Sequence, residues 1–361
     1  MGNYSEELKN KLNVSVDYIA FTVIAPFSVV EVIDFMGFDT NDFVDMPKGS
    51  NGYKKQKRCF LNGISVLYDG NENMGIHVNV TGKGIISLLD SFRTKHCIKN
   101  PFNNIENVAP LQEYLVGYFF QEVLKIGQFT RLDIAIDDFG MNYYSPDEVL
   151  NLYNENRVVM KWRGMRRDDS FDAPNSSSGY TVYCGSRESS LMLRIYDKKL
   201  EQNKSKKENE PDYIDFDWVR WELEFKEKRA NELAQQIING LPLGHIAVGV
   251  LHYYFRIIQL DDCNKSRCSN DDKWNCFIAD IEKLRLHNLM VEKTVYDKAN
   301  WVEKQVAPTL ATLLILAEFD PNLLNDIAWR NKHRISKYDR ELIKNERPEI
   351  YDMYFAEVER V

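Results

Sequence analysis

A strand-like segment near the middle of the chain, RIYDKKLE at residues 194–201, places a tyrosine between two cations. In an extended strand every second side chain points to the same face, so Arg194, Tyr196 and Lys198 share one face and apolar residues share the other. A phenol oxygen is a nucleophile toward phosphorus, and nearby cations neutralise the charge that develops on a phosphate. The segment therefore has the residue types needed to attack a phosphodiester.

Two other strand-like segments also have one apolar face and one charged face. In TRLDIAIDD the charged face carries Asp133 and Asp137. In VRWELEFK it carries Glu222 and Glu224. One such strand is ordinary in an antiparallel sheet with a solvated face. Three strands that combine carboxylates with cations indicate a solvated sheet surface for metal-assisted phosphodiester chemistry, because carboxylates bind Mg²⁺ or Mn²⁺ and the metal polarises phosphate oxygens.

Spacing along the strands limits which carboxylates can share one ion. At about 3.3 Å per residue, the Cα atoms of Asp133 and Asp137 lie roughly 13 Å apart, too far for both to bind one ion directly. Glu222 and Glu224 are only about 7 Å apart, and a strand about 4.8 Å away can add a third ligand. We therefore predict a site for Mg²⁺ or Mn²⁺ formed by Asp133, Glu222 and Glu224, with Asp137 in a supporting position.

Strands and helices follow from the periodicity of the apolar residues. Alternating, β-branched and aromatic segments predict strands at 16–24, 63–70, 75–84, 130–139, 158–165, 180–186, 191–198 and 215–226. Apolar spacing of three and four predicts helices at 29–37, 85–92, 111–127, 145–155, 230–258, 271–289, 301–319 and 321–346. Ser145, followed by Pro146, is the predicted cap of the helix that begins there.

Strand signals nearly vanish after residue 226, which divides the chain into two regions. We predict an α+β fold, with a strongly curved, mostly antiparallel sheet and helices packed on one of its faces, over residues 1–226. A helical C-terminal region follows over residues 227–361. The charged strands belong to the first region, so we place the catalytic site there.

Composition excludes several classes of protein. The 361-residue chain has a formal net charge of −8, which argues against a protein that coats nucleic acid without specificity. It has no apolar run approaching the ~20 residues that cross a bilayer, and its N-terminus lacks the apolar core of a secretory signal. We expect a cytoplasmic protein with no membrane partner. Its six cysteines form no CxxC pair, so we expect free thiols rather than structural zinc.

The three charged strands resemble the replication initiation factor family (Rep_trans). That family contains rolling-circle plasmid initiators, some filamentous phage initiators and relaxases of integrative conjugative elements. The resemblance is carried by FTRLDIAIDDF, YCGSRESSLMLRIYDKKLE and WVRWELEFKEKR, in that order along the chain, and more weakly by WVEKQVAPTLATLL. Three separated blocks in the right order make this a specific signal.

The resemblance implies a function and a site. Tyr196 would cleave one DNA strand at an origin, become linked to the 5′-phosphate and leave a 3′-OH that primes synthesis. Arg194 and Lys198 would flank the scissile phosphate. The tyrosyl link retains the energy of the broken bond, so rejoining requires no nucleotide cofactor. The implied partners are origin DNA, single-stranded or extruded at the nick, a second copy of the chain in a homodimer, and a host UvrD-like helicase.

Duplex recognition requires further basic surfaces, because only a single strand reaches the tyrosine. The segment at 161–167, which also contains Trp162, and the segment at 329–347 are rich in Lys and Arg. For each segment the alternative is an ordinary solvated face. The helical region is a candidate for DNA binding or dimerisation. The predicted DNA contacts are Arg187, Lys161, Arg163, Arg166, Arg167, Arg330, Lys332 and Arg334.

Alternatives share parts of this site. A metal-dependent nuclease would use the same carboxylates with water as the nucleophile, and a non-catalytic origin-binding protein would use the charged faces as ordinary surface. A conjugative relaxase and a replication initiator share the same chemistry. Many tyrosine nickases bind metal through two histidines separated by one hydrophobic residue, and this chain lacks that spacing. His77 could reach the charged surface, although a structural role is the simpler interpretation.

Overall fold

The computed structural model describes residues 12–59, 63–98, 108–173, 176–204, 206, 213–284, 307–318, 320, 322–331, 343, 344, 347 and 351. The chain forms two compact units. The first unit comprises residues 1–99 and 107–289, and the second comprises residues 100–106 and 290–361. The charged strands all belong to the first unit.

A ten-stranded sheet forms the centre of the first unit, and its described strands all pair antiparallel. The strands are β1 (Leu12–Val23), β2 (Val44–Asp45), β3 (Lys55–Cys59), β4 (Ile64–Tyr68), β5 (Ile76–Thr81), β6 (Gly127–Phe139), β7 (Val158–Met160), β8 (Met165–Ala173), β9 (Ser176–Cys184), β10 (Leu191–Asp197), β11 (Trp218–Lys226) and β12 (Phe255–Ile257). The order across the sheet is β2-β3-β4-β5-β1-β6-β11-β10-β9-β8, and β7 pairs with β12 separately.

Helices connect and cover the strands. In the first unit they are α1 (Val29–Phe35), α2 (Lys83–Lys95), α3 (Val108–Ile126), α4 (Pro146–Asn154), α5 (Lys198–Asn203), α6 (Glu227–Ile238), α7 (Leu243–Tyr254) and α8 (Asp272–Lys283); in the second they are α9 (Ala307–Leu316) and α10 (Asn322–Asn331). The predicted cap of α4 is present, since the Ser145 hydroxyl accepts a hydrogen bond from the Glu148 N–H. Within the described residues, no helix combines the length and apolar character that crossing a membrane requires.

The hydrophobic core lies on one face of the sheet. The apolar residues of the three charged strands, such as Ile134, Leu193 and Leu223, are fully buried in one cluster with side chains of α1, α2, α3, α4, α6, α7 and α8. This arrangement confirms the predicted class, a large antiparallel sheet with helices. The free energy gained by burying apolar surface places these residues inside and directs the charged residues of the same strands to the other face.

The division into units differs from the boundary expected at residue 226. Helices α6 and α8 contribute Leu233, Trp274 and Phe277 to the same core as the sheet. A loss of strand pattern marks a change of secondary structure, but it does not show which core the following helices join. The second unit begins only after residue 289, apart from the short segment 100–106.

The spatial order of three strands positions the candidate site. β11 lies between β6 and β10, although it follows both in the chain. The register aligns Glu224 with Asp133, Glu222 with Arg194, and Arg220 with Tyr196. The predicted charged faces therefore form one continuous surface, with the β11 carboxylates at its centre.

The end of β10 differs from the prediction at one residue. The strand ends at Asp197, whose carboxylate accepts a hydrogen bond of 2.8 Å from the Leu200 N–H and caps α5. Lys198 is therefore the first residue of a helix rather than the next residue of the strand. The change is physically reasonable, because aspartate is a favoured N-cap and competes with continuation of the strand.

Candidate active site

Tyr196 lies next to a carboxylate and an ammonium group. Its hydroxyl donates a hydrogen bond of 3.0 Å to Oε2 of Glu222. The Nζ of Lys198 lies 3.5 Å from the same hydroxyl oxygen, even though Lys198 begins α5. The tyrosine is half-buried, so its oxygen is held in a defined position at the charged face.

The predicted metal ligands converge on one guanidinium group. Nη2 of Arg194 lies 3.2 Å from Oδ2 of Asp133 and 3.9 Å from Oε2 of Glu224, and it also pairs closely with Oε1 of Glu222. The structure thus brings together Asp133, Glu222, Glu224 and Arg194. The cation at the centre of this carboxylate cluster is a side chain of the protein.

Two further cations complete the cluster, and neither was among the predicted site residues. Nε of Arg131 donates a hydrogen bond of 2.9 Å to Oδ1 of Asp133, and its Nη2 lies 2.7 Å from Oε2 of Glu224. Nζ of Lys226 lies 2.7 Å from Oε1 of Glu224. Arg131 lies two residues before Asp133 on β6, and Lys226 lies two residues after Glu224 on β11, so each cation shares a strand face with its carboxylate. This spacing could have identified both residues from the sequence.

Burial of the carboxylates differs from the solvated surface that we expected. Asp133 is 0% exposed, Glu222 2% and Glu224 3%. Buried carboxylates are stable only when they are paired and hydrogen-bonded, and the guanidinium groups of Arg131 and Arg194 supply that pairing. The arginine side chains retain 27% and 24% exposure, so cations form the accessible surface of the cluster.

A second buried network lies on the strand beside Tyr196. Arg220, directly opposite Tyr196 in the register, donates hydrogen bonds of 2.7 and 3.0 Å to the two oxygens of Asp137. Asp17 accepts a third bond from Arg220 at 2.5 Å, and the Trp218 indole N–H donates to Asp137 at 2.7 Å. Asp137 therefore holds the arginine that faces the tyrosine, and it does not join the carboxylate cluster.

The surroundings make the phenol a weak acid. Burial, reinforced by the negative charge of Glu222, raises the pKa of Tyr196 well above its ordinary value. Burial alone would also raise the pKa of Glu222, but the Arg194 guanidinium, a hydrogen bond with Asp133 and the charge of Arg220 together hold that pKa below its ordinary value. The pair therefore consists of a neutral phenol hydrogen-bonded to an ionised carboxylate, which is the arrangement of an acid with its base.

The cluster has the oxygen donors that Mg²⁺ and Mn²⁺ prefer. Arg194 Nη2 stands among these oxygens as a cation would. Among the described residues, no group of three or more His, Cys, Asp or Glu side chains is arranged so that it could hold a metal ion. The guanidinium of Arg194 occupies the space between these oxygens.

His77 is held by the protein. Its Nδ1 lies 2.9 Å from the Thr22 hydroxyl and its Nε2 lies 2.9 Å from Oδ1 of Asn79. Burial lowers the pKa of His77, which favours the neutral ring. With both nitrogens engaged, the ring serves a structural role beside β1.

The basic segment at 161–167 divides into residues with different environments. Lys161 and Arg163 are exposed, and Nζ of Lys161 lies over the ring of Tyr253. Trp162 is 8% exposed and donates a hydrogen bond of 2.8 Å to the Leu191 carbonyl, so it is a packing residue rather than a DNA contact. Only the charged members of this segment are available to a ligand.

The remaining predicted DNA contacts are scattered. Arg166 and Arg167 are neighbours on β8, so they point to opposite faces, and Arg187 is 74% exposed in the β9–β10 turn. Arg330 is exposed on α10 in the second unit. Lys332 and Arg334 lie outside the described residues.

The chain is similar to known proteins in sequence and in fold. Residues 127–327 match the replication initiation factor family. The chain is 28% identical over 315 residues to a putative DNA relaxase NicK of Bacillus subtilis (strain 168), a match that covers 86% of this chain and 83% of that protein. Its fold is similar to that of a rolling circle replication initiator protein from Geobacillus stearothermophilus, with a TM-score of 0.59 and 25% identity, over 77% of this chain and 100% of that one.

A local similarity to the DNA-directed RNA polymerase subunit β′ of Bacteroides thetaiotaomicron, 26% identical over 91 residues, covers 25% of this chain and only 6% of that subunit. It carries no argument about function. The family match, in contrast, spans more than half of the chain and contains all three charged strands. This protein belongs to the replication initiation factor family.

Proposed function

We propose that this protein nicks one strand of origin DNA through Tyr196 and later rejoins it, and so initiates rolling-circle replication of a plasmid, phage or mobile element. The observation that carries the proposal is the hydrogen bond of 3.0 Å from the Tyr196 hydroxyl to Glu222, within a cluster of carboxylates and arginines. A solvated strand face has no need to bury a phenol against an ionised carboxylate. Membership of the family supports the same chemistry.

Glu222 and Tyr196 have different roles in cleavage. Glu222 accepts the phenol proton as the Tyr196 oxygen attacks phosphorus, because its carboxylate already accepts the hydrogen bond of the hydroxyl. The P–O3′ bond breaks, the 5′-phosphate remains on the tyrosine, and the 3′-oxygen leaves as a hydroxyl after taking a proton from solvent. Rejoining reverses these steps, with the 3′-OH as nucleophile.

Arg194 and Lys198 contact the phosphate in this proposal. Nζ of Lys198 already lies within 3.5 Å of the attacking oxygen. Nε of Arg194 is a buried donor with no hydrogen-bond partner among the described residues, and the side chain as a whole is 24% exposed, so a change of its rotamer would let the guanidinium donate to a phosphate oxygen. Two cations at the phosphate would neutralise the charge that develops during attack.

Asp133, Glu222 and Glu224 are the residues that would hold Mg²⁺ or Mn²⁺, on the strength of their convergence and their buried oxygens. A bound divalent ion would supply Lewis-acid polarisation of the phosphate. Binding of such an ion would require the guanidinium of Arg194 to leave the centre of the cluster.

The exposed cations are the proposed contacts to the rest of the origin. They comprise Arg187, Lys161, Arg163, Arg166, Arg167 and Arg330. Lys332 and Arg334, which lie outside the described residues, are proposed as contacts from the sequence alone. We further propose, from the family resemblance, that the protein acts as a homodimer and recruits a UvrD-like helicase. Light scattering of the purified protein tests the first point, and origin-dependent unwinding with added helicase tests the second.

The deciding experiment is covalent capture of DNA. Supercoiled plasmid carrying the cognate origin is incubated with the protein and Mg²⁺ or Mn²⁺, and the peptide bound to DNA is identified by mass spectrometry. We expect relaxed plasmid and a 5′-linked peptide containing Tyr196, and neither product from Tyr196→Phe. Nicked DNA with no attached protein would instead establish hydrolysis by water.

A variant at Glu222 tests the role of proton acceptor independently of the nucleophile Tyr196. Glu222→Gln retains the shape of the side chain but cannot take the phenol proton, so adduct formation should slow by about 10²–10⁴-fold. Glu201→Gln is the matched control, because Glu201 pairs with Lys198 but does not contact the phenol. Equal rates for Glu222→Gln and the unmodified protein would rule out the assigned role of Glu222.

The related proteins include both a relaxase and a replication initiator, and the proposed chemistry serves either one. A conjugative relaxase is therefore the second candidate function. The two functions differ in the fate of the nicked DNA, so the assay is genetic. Loss of Tyr196 should abolish replication of the element if the protein is an initiator, or its transfer between cells if it is a relaxase.

A further inference from the structure

The charged face extends past Tyr196 onto the hairpin of β8 and β9 at the edge of the sheet. The register aligns Tyr183 with Arg194 on one side and with Arg166 on the other. Adjacent strands lie about 4.8 Å apart, so these three side chains form a row across the sheet. An aromatic ring therefore stands between two arginines, one strand away from the strand that carries Tyr196.

The ring and its outer arginine form an accessible stacked pair. The guanidinium carbon of Arg166 lies 4.6 Å from the centroid of the Tyr183 ring. Tyr183 is half-buried, and the Arg166 side chain is 44% exposed at the edge of the sheet. Aromatic rings and guanidinium planes are the groups on which the bases of single-stranded nucleic acid stack.

The charge around the ring favours a nucleic acid. Asp168, the acidic neighbour on the same face, is shared by Arg166 at 2.9 Å and Arg187 at 3.7 Å. One carboxylate against two guanidinium groups leaves positive charge beside the ring. A phosphodiester backbone supplies the matching negative charge, whereas a neutral ligand does not.

We propose that Tyr183 and Arg166 form a stacking platform for one nucleobase adjacent to the phosphate that Tyr196 attacks. Diagonal neighbours on adjacent strands have Cα atoms about 7–8 Å apart, which places the ring within reach of the next nucleotide. Stacking tolerates any base, so the platform holds the single strand in place rather than reading its sequence. The inference rests on the proposed function, since it concerns the strand presented to Tyr196.

The opposite face of the same hairpin provides a matched control. Arg167 lies 3.7 Å over the ring of Tyr180, and it pairs with Asp169 as Arg166 pairs with Asp168. Because strand neighbours point to opposite faces, this second stack faces away from Tyr196. Arg166→Leu and Arg167→Leu therefore remove the same charge and the same kind of contact from two faces of one hairpin.

The test measures binding of DNA that cannot be cleaved. Every variant is made in a Tyr196→Phe background, and its affinity for a fluorescein-labelled oligothymidylate of about ten nucleotides is measured by anisotropy. Stacking contributes about 1–3 kcal/mol per base, so Tyr183→Leu should weaken binding roughly 5- to 140-fold while the salt dependence stays the same. Tyr183→Phe, which retains the ring, should bind within about twofold of the parent. Arg166→Leu should weaken binding more than Arg167→Leu.

Photocrosslinking locates the contact independently of these affinities. An oligothymidylate containing 5-iodouracil should crosslink to the β9 peptide that contains Tyr183. Unchanged affinity in both Tyr183→Leu and Arg166→Leu, or equal losses in Arg166→Leu and Arg167→Leu without that crosslink, would overturn the platform. Thermal melting of each variant excludes loss of the fold as the cause, and Tyr183→Phe with Arg166→Leu decides the question if Tyr183→Leu does not fold.

Covalent capture with Tyr196 restored is measured in parallel. If the protein forms the covalent adduct normally, and substitution of Tyr183 or Arg166 does not change the affinity for oligothymidylate, the platform is rejected and the proposed function is retained. Absence of adduct from every variant rejects the proposed function, and the affinities then decide by themselves whether the platform binds single-stranded DNA.

Discussion

Arg194 connects the two tasks of the site at the scale of single residues. It pairs with buried carboxylates, and it lies on the face where the scissile phosphate would bind. Removing one partner from a buried ion pair is costly because the remaining charge is left without compensation. Glu222 depends on Arg194 most, because Arg131 and Lys226 also pair with Asp133 and Glu224.

Arg194→Leu should lower the free energy of unfolding in metal-free buffer by about 3–5 kcal/mol, the usual cost of breaking a buried pair. Mn²⁺ should then raise the melting temperature more in this variant than in the unmodified protein, because the ion no longer competes with the guanidinium. Calorimetry with and without Mn²⁺ measures both effects. Arg163→Leu, at an exposed arginine, is the control. An equal Mn²⁺ shift in all three proteins would contradict the competition.

The same variant should become more sensitive to high pH. Arg194 is the largest of the influences that hold the pKa of Glu222 below its ordinary value against the effect of burial, so its removal raises that pKa in the folded state. A carboxyl with a lowered folded pKa stabilises the folded state above its unfolded pKa, and the variant loses this stabilisation as pH rises through the range in which the carboxyl ionises. The stability deficit of Arg194→Leu should therefore grow as pH rises from about 4 to about 8 in denaturant titrations. If the difference in unfolding free energy between Arg194→Leu and the unmodified protein does not change with pH, the ionisation of Glu222 is not the cause of the lost stability.

At the scale of elements, the junction between β10 and α5 determines where Lys198 lies. Asp197 ends the strand and caps the helix, so the chain turns directly after Tyr196. The turn allows Nζ of Lys198 to approach the tyrosine hydroxyl, although Lys198 has left the strand. Accurate placement of the cation thus depends on one capping bond in a six-residue helix.

Asp197→Ala should remove that bond and cost about 0.5–2 kcal/mol of stability. Adduct formation should fall as well, because Lys198 is no longer held beside the phenol. Asp197→Asn should restore both, since asparagine caps as well as aspartate. Ser145→Ala at the cap of α4 is the matched control, with a similar loss of stability and normal nicking. If both alanine variants nick normally, the cap has no part in positioning Lys198.

At the scale of the whole molecule, the sheet and the helices after it form one folding unit. Trp274 and Phe277 of α8 are fully buried in the core of the sheet, together with Leu233 of α6. Deleting these helices would remove buried side chains and expose the apolar surface of the sheet to water. The free energy lost would be large compared with the stability of a single domain. The second unit, which contains α9 and α10, is separate.

Truncation tests this division. A fragment of residues 1–289 should fold with a cooperative melting transition, whereas a fragment of residues 1–226 should aggregate or melt without cooperativity. Circular dichroism and size-exclusion chromatography distinguish the two results. A well-folded 1–226 fragment would restore the boundary expected from the loss of strand pattern.

Local features of the site could be predicted from the sequence. Alternation along a strand is a property of neighbouring residues, so the charged faces of β6, β10 and β11 could be predicted together with the core residues beneath them. The same spacing excluded Asp137 from the cluster and placed Tyr196 between two cations. The capping residue of α4 was also evident, because a cap depends only on the residues at one helix end.

Long-range features could not be derived from local pattern. The position of β11 between β6 and β10 depends on packing between segments far apart in the chain, and it is this order that brings Glu222 to both Tyr196 and Arg194. Burial of the carboxylates likewise depends on which arginines fold over them. The sequence by itself determined which side chains share each strand face. Only the tertiary structure decided which faces meet and which charges leave water, because these outcomes are set by contacts between distant parts of the chain.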